Sequence, residues 1–299
     1  MNRAAIDVGS NSILLLVVDA TGAVLHDEAR VVGLGKGLGD RGLLAPDRLA
    51  AAEAVLTDYV DVAKRHGVDA WSVKVAATSA CRRAMNAPTW LARVQRTTGL
   101  RIQIVSGIEE ARLTWAGSLA GLTLPEGPVL LVDVGGGSTE LVLGENDYVL
   151  ARESLEIGTV RDTESTLLPR GSRAYDLAGL ARLRNHVDIE VSRLRLEPKP
   201  QSVVAVAGTA TTLAATALGL ERYDAGRVHG STLTRADLAR MSAALVSAAP
   251  DARPSLFPVA PERADNLLAG ATFLDRILDA AGRPSLTVSD GGLRYGLIR

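Results

Sequence analysis

The stretch Ile6-Asp7-Val8-Gly9-Ser10-Asn11-Ser12-Ile13-Leu14-Leu15 returns 126 positions later as Val132-Asp133-Val134-Gly135-Gly136-Gly137-Ser138-Thr139-Glu140-Leu141. Asp7 falls on Asp133, Val8 on Val134, Gly9 on Gly135, Ser12 on Ser138 and Leu15 on Leu141. Each copy is an apolar strand pattern, a carboxylate, a turn of small residues and a second apolar strand pattern. Such an internal repeat predicts two similar α/β halves. The alternative is two unrelated glycine-rich hairpins. Between the copies, helical and strand patterns alternate: Leu49 to Ala63 is a helical face stopped by Gly67, and Trp71, Val73, Val75 and Ala77 alternate as a strand. Pro88 opens a helix that Gly99 closes, Ile102 and Ile104 alternate, and Ile108 to Leu119 is helical.

A length of 299 residues fits two domains of ordinary size. Leu124-Pro125-Glu126-Gly127 is the best boundary, giving domains 1–124 and 125–299, with the last helix or strand free to pack back on the first. The second half reads as a loop at 169–175 and a charged helix from Asp176 to about Leu196. A strand at Val203 to Ala207, a helix from Arg235 to Val246 and a proline-rich loop at 250–261 follow. The chain closes with a helix from Glu262 to Ala280 and a strand at Ser285 to Ser289.

Hydrophobic residues make up 47% of the chain, which excludes intrinsic disorder as the default. Aromatics at 3% argue against a base- or sugar-stacking platform. Lys plus Arg number 33 against 34 Asp plus Glu, a net charge of −1 that disfavours a general nucleic-acid binder. That average hides one segment: residues 80 to 112 hold Arg82, Arg83, Arg93, Arg96, Arg101 and Arg112 but only Glu109 and Glu110. The clean apolar runs are too short to span a bilayer, and no signal-peptide pattern is seen, so a soluble cytoplasmic protein without membrane partners is expected. One cysteine excludes an internal disulfide and any cysteine-cluster zinc site.

Several familiar motifs fail on inspection. Gly33-Leu34-Gly35-Lys36-Gly37-Leu38-Gly39 has Leu38 where a dinucleotide fingerprint needs glycine, and Gly37 where a Walker A loop needs Ser or Thr. Cys81 lacks the arginine six residues on that a cysteine phosphatase uses, because Ala87 stands there, and it reads as a small buried hydrophobe. The four histidines are scattered.

Other residues carry chemistry. Asp7 and Asp133 end strands beside turns whose backbone N–H groups can cradle phosphate oxygens. A carboxylate there can hold Mg²⁺, which favours one or two carboxylates plus substrate phosphates. Ser10, Asn11, Ser12, Ser138 and Thr139 add neutral donors. Gly208-Thr209 follows a strand and opens a helix, so it is either an anion site or an ordinary N-cap. Ser106 and Glu109 fit a capping box. That leaves Glu110, about 100° further round the helix, either as a general base for water or as a carboxylate favoured by the helix dipole. Arg82, after a strand, can clamp phosphate and stabilise transition-state charge.

With these motifs in order, the chain resembles the exopolyphosphatase/guanosine pentaphosphate phosphohydrolase family. The matching stretches are Asp7 to Ser12, Leu34 to Leu38, Ala77 to Asn86, Ser106 to Arg112, Val132 to Glu140, Gly158 to Arg161, Gly208 to Thr211 and Val288 to Arg294. The resemblance implies an α/β fold of two duplicated actin-like domains (the acetate and sugar kinase, Hsp70 and actin type) with an interdomain cleft. It implies Glu110 and Arg82 as catalytic and Asp133 and Glu140 as acidic residues around the metal and water; with Asp7 from the hairpin reading, these are the carboxylates expected around a Mg²⁺ or Mn²⁺ ion. The resemblance makes Ser10, Asn11, Gly136, Gly137, Ser138 and Gly208 phosphate-loop residues, and the residue reading adds Ser12, Thr139 and Thr209 as phosphate-binding candidates. The expected reaction is release of terminal orthophosphate from inorganic polyphosphate by metal-assisted attack of water. Guanosine pentaphosphate is the alternative substrate; an actin-fold kinase and a non-catalytic polyphosphate-binding module rank below it. A homodimer is an expectation from the family alone. Two departures stand out. Leu14 occupies a position that is often basic in the family, and the chain ends soon after Arg294, as in the short two-domain members.

Overall fold

The computed structural model describes residues 1–36, 38, 42–146, 148–168, 172–193 and 195–299. The fold is dominated by two sheets, each seeded by one copy of the repeated hairpin. In the first, β1 (Arg3–Val8) runs antiparallel to β2 (Ser12–Val18), which pairs with β3 (Val24–Val31). A helix α1 (Pro46–Arg65) leads to β4 (Lys74–Ala77), which lies parallel to β1. Helices α2 (Ser79–Arg83) and α3 (Ala87–Thr98) precede β5 (Ile102–Ile104), and α4 (Gly107–Ser118) follows it. The strand order is β3-β2-β1-β4-β5.

In the second sheet, β6 (Val129–Val134), β7 (Thr139–Glu145) and β8 (Tyr148–Leu155) repeat the meander. A short α5 (Thr159–Asp162), α6 (Leu177–Val191), β9 (Ser202–Val206) and α7 (Ala207–Ala217) come next. They are followed by β10 (Thr232–Thr234), α8 (Arg235–Ser247), α9 (Ala264–Ala281) and β11 (Ser285–Val288). The order β10-β11-β9-β6-β7-β8 reproduces the first sheet and adds the antiparallel β10 at one edge. Strands β9 and β11 are parallel additions beside β6, as β4 and β5 are beside β1. This is a duplicated actin-like α/β architecture. The duplication extends to register: Asp7 stands opposite Leu14, and Asp133 stands opposite Glu140.

The chain divides into a unit of residues Met1–Gly117 with Gly292–Arg299 and a unit of Ser118–Gly291. The first unit therefore includes the terminal helix α10 (Leu293–Ile298). Ile6, Val8, Ile13 and Leu15 pack with Leu56, Tyr59, Trp90 and Val94 on one face of its sheet. On the other face, Ala5, Leu16 and Val18 meet Ile298, and Ala76 and Val105 meet Leu293. Two glycines let α10 lie against α4. A Cβ on Gly296 would stand 2.0 Å from the Leu113 carbonyl oxygen, and one on Gly117 would stand 2.0 Å from that of Gly292. The second unit buries its core between β6, β9 and the helices, with Phe273, Leu274, Ile277 and Leu278 of α9 contributing.

Several sequence expectations change. Trp71 is not in a strand: Ala70–Ser72 forms a 3-10 turn closed by the Ser72 N–H on the Asp69 carbonyl, and the strand begins at Lys74. The proline-rich 250–261 stretch contains 3-10 helices at Pro250–Leu256 and Pro261–Arg263, because proline presets a helical φ. Residues 169–171 of the expected loop, Leu194 of the expected helix end and Gly37 and Gly39 of the Gly33–Gly39 stretch lie outside the described residues. Strands β3 and β8 were not foreseen. On β3, the partly covered positions are His26, Glu28 and Arg30, which pair with one another and with Asp58, so no apolar alternation marks the strand.

Candidate active site

In the first unit, the turn after β1 is closed by the Gly9 N–H donating to the Ser12 carbonyl at 3.0 Å. A side chain at Gly9 would put its Cβ 2.9 Å from that carbonyl oxygen. The turn is braced from behind: the Gly35 N–H donates to the Ser10 carbonyl, and the Val32 and Gly33 N–H groups donate to the Asn11 carbonyl. The glycine-rich stretch rejected as a nucleotide loop thus supports the Ser10–Asn11 turn. Ser10 and Asn11 are exposed, and Ser12 is half-buried at the start of β2.

Asp7, just before this turn, has a buried Oδ1 with no hydrogen-bond partner. Burial pushes its carboxyl up to about 7; Arg294 opposes the rise and Glu110 adds to it. A buried, unpartnered carboxylate is costly unless a cation or a proton neutralises it. It therefore suits a divalent cation. Among the described residues there is no group of three or more His, Cys, Asp or Glu poised to hold a metal, so any ion would draw further ligands from elsewhere.

Arg82 lies on α2 and Glu110 in the first turn of α4. Arg82 Nη1 donates to Glu110 Oε2 at 2.8 Å and to the Val105 carbonyl at 2.9 Å. Both side chains are about one-third exposed, so the pair is fixed and still reachable. The expected capping box is half-formed. The Glu109 N–H donates to Ser106 Oγ at 3.1 Å, but the Glu109 carboxylate turns to Arg112 instead. Glu110 pairs instead with Arg82, 28 residues away in the chain.

The second unit builds the equivalent turn. The Gly135 N–H donates to the Ser138 carbonyl at 3.0 Å, and a Cβ on Gly135 would lie 2.8 Å from that oxygen. Gly136 and Gly137 are exposed. No atom lies within 4 Å of where a Gly137 Cβ would project, so packing does not demand glycine there. Among the described residues, the N–H groups of Gly136, Gly137 and Ser138 have no protein acceptor. Three successive N–H groups without an acceptor are donors available to an anion.

The side chains around this turn divide sharply. Ser138 Oγ donates to Glu140 Oε1 at 2.7 Å, and Ser154 Oγ donates to the same oxygen at 3.1 Å. Asp133 is half-buried and, like Glu140, already engaged. Thr139 is fully buried with its hydroxyl on the Ile157 carbonyl, and Thr209 is buried with its hydroxyl on the Val134 carbonyl. Both hydroxyls therefore donate to backbone carbonyls. Thr209 has a counterpart in Thr78, whose hydroxyl and N–H both donate to the Val8 carbonyl.

Two features at the start of α7 were missed from sequence. Ala207 adopts φ 68°, a conformation that strains any residue with a Cβ. The Arg263 guanidinium lies against Gly208 so closely that a Cβ there would come within 1.9 Å of its Nη1. Glycine at 208 leaves the space in which the arginine stands beside the helix N-terminus. No spacing signal links residues this far apart.

An actin-like fold, small-residue turns after two equivalent strands and an arginine–glutamate pair define a protein that works on phosphate groups. The model of the Ppx/GppA phosphatase family matches residues 16–299, and the chain belongs to that family. It is a hydrolase acting on phosphoanhydride bonds. Exopolyphosphatase 2 of Mycobacterium tuberculosis is 35% identical, over 98% of this chain and 96% of the relative. A crystal structure of the Aquifex aeolicus Ppx/GppA phosphatase is 32% identical with a TM-score of 0.85, covering 99% of this chain and 98% of that one. The ethanolamine utilization protein EutJ from Carboxydothermus hydrogenoformans, 14% identical at a TM-score of 0.53, shares the fold. No helix of the described residues is long and apolar enough to cross a membrane.

Proposed function

We propose that the chain is an exopolyphosphatase that releases terminal orthophosphate from inorganic polyphosphate. The observation that carries this reading is the Arg82–Glu110 pair, held at 2.8 Å in the unit that also holds Asp7 and the Ser10–Asn11 turn. Glu110 takes a proton from water as the water oxygen bonds to the terminal phosphorus. The phosphoanhydride bond breaks, and the shortened polyphosphate leaves with the bridging oxygen. Arg82 uses one nitrogen to orient Glu110 and keeps its other donors for phosphate oxygens, where negative charge gathers. The Gly136–Ser138 N–H groups supply a neutral anion cradle on the second unit.

The buried Asp7 carboxylate in the first unit suits a Mg²⁺ or Mn²⁺ ion, and Asp133 and Glu140 are the candidate carboxylates that the second unit offers. When bound, the ion supplies positive charge to the phosphate oxygens. The name of the Mycobacterium tuberculosis relative supports polyphosphate as the substrate. The same chemistry would serve the 5′-phosphate of guanosine pentaphosphate. Phosphate release from polyphosphates of defined length, with pentaphosphate as competitor, tests the assignment. Turnover of polyphosphate with weak inhibition by pentaphosphate is expected; turnover of pentaphosphate alone would reverse it.

A further inference from the structure

The two phosphate turns are braced in the same way but with different groups. In the first unit, backbone N–H groups hold the carbonyls of Ser10 and Asn11. The repeat places Gly136 and Gly137 at these positions in the second unit. There the Val160 and Arg161 N–H groups hold the Gly136 carbonyl, and Thr159 N–H holds that of Gly135. Among the described residues, no backbone donor reaches the Gly137 carbonyl. Arg161 Nη1 donates to it instead at 3.2 Å, and Glu156 Oε2 anchors the same nitrogen at 2.7 Å. A Cβ on Gly158 would lie 2.4 Å from the Gly136 carbonyl oxygen, so the segment carrying Arg161 is pressed against the turn.

We infer that Arg161 is a positioning residue that fixes the Gly137–Ser138 peptide and aims the Ser138 N–H at a phosphate oxygen. This inference rests on the phosphate-binding reading of the turn. In a planar trans peptide the carbonyl and the next N–H point in opposite directions. Tying down the Gly137 carbonyl therefore sets the direction of the Ser138 N–H, which has no protein acceptor among the described residues. A guanidinium on that carbonyl also polarises the peptide and strengthens its N–H as a donor to an anion. Gly158 packs against one side of the Gly137 backbone, where a Cβ would lie 2.4 Å from the Gly137 carbonyl carbon, and Arg161 holds the carbonyl oxygen itself.

The test compares Arg161→Met and Arg161→Lys with the wild-type chain by steady-state phosphate release, thermal unfolding and the backbone amide spectrum during titration with inorganic phosphate. Arg161→Met should lower kcat/KM by roughly tenfold, less than the hundredfold or more lost when an oxyanion donor is removed outright. Its melting temperature should stay near wild type, and the Ser138 amide should lose most of its phosphate-induced shift. Arg161→Lys should recover most of both, because an ammonium can donate to the same carbonyl. Equal impairment of the two variants, or an unchanged Ser138 response in Arg161→Met, overturns the inference. A wild-type chain that hydrolyses nothing yet shifts Ser138 with phosphate would sink the proposed activity while leaving the role of Arg161 to be decided by the spectra.

Discussion

Replacing Asp7 with Asn isolates the cost of a carboxyl buried without a partner. Burial raises its pKa from 3.8 to about 7, against the pull of Arg294 and with a push from Glu110. At pH values below 3.8 the group is protonated in the folded and unfolded chains alike. As pH climbs towards about 7, the unfolded chain has released a proton that the folded chain still holds, so stability falls. Above that range the full difference is present: about three pKa units at ~1.4 kcal/mol each, or about 4 kcal/mol. Asp7→Asn has no such ionisation. Its stability relative to wild type should therefore grow by about 4 kcal/mol between about pH 4 and pH 8. Urea unfolding at several pH values in EDTA measures this difference. Adding Mg²⁺ at pH 8 should raise the wild-type midpoint and leave the variant's unchanged, because a cation that binds only the folded carboxylate stabilises it. A variant-minus-wild-type difference that stays constant with pH would refute the reasoning, and equal Mg²⁺ responses would show that Asp7 does not hold the cation.

Three further outcomes are expected. Gly296→Ala should destabilise the first unit by about 2 kcal/mol or more in urea unfolding, because its Cβ would meet the Leu113 carbonyl oxygen at 2.0 Å; a neutral effect would mean that α10 can shift. Cys81 is buried, and burial pushes its thiol up to about 11, so a disulfide reagent at pH 8 should label it only after unfolding; rapid native-state labelling would contradict that environment. Ala207→Gly should stabilise the chain by about 1 kcal/mol, since glycine accepts φ 68° without strain; a loss of stability would show that the Ala207 methyl packs more favourably than its backbone is strained.

The duplicated architecture was legible because both turns open on glycine and close on serine at the same spacing, and that spacing survives as identical register and identical turn closure. The edge strands were not, because β3 turns charged residues toward its partly covered face and β8 is mostly exposed. At the candidate site, the residue types were legible but not their orientations. Thr139 and Thr209 read as phosphate donors, yet both hydroxyls close onto backbone carbonyls, a choice made by burial rather than by local sequence. Glu110 was distinguishable from Glu109 by helix phase, whereas its partnership with Arg82 depends on α2 and α4 meeting in the folded unit. Arg263 escaped notice for the same reason: its packing against Gly208 is a tertiary contact with no periodic signal.

The most direct test of the central claim is the rate of phosphate release from polyphosphate by Glu110→Gln, measured beside wild type and with the fold checked by circular dichroism. Gln keeps the shape and can still accept a bond from Arg82, but it cannot take a proton from water. The account expects phosphate release to fall by at least about a hundredfold with an unchanged fold. Near wild-type turnover in a folded Glu110→Gln variant would contradict it.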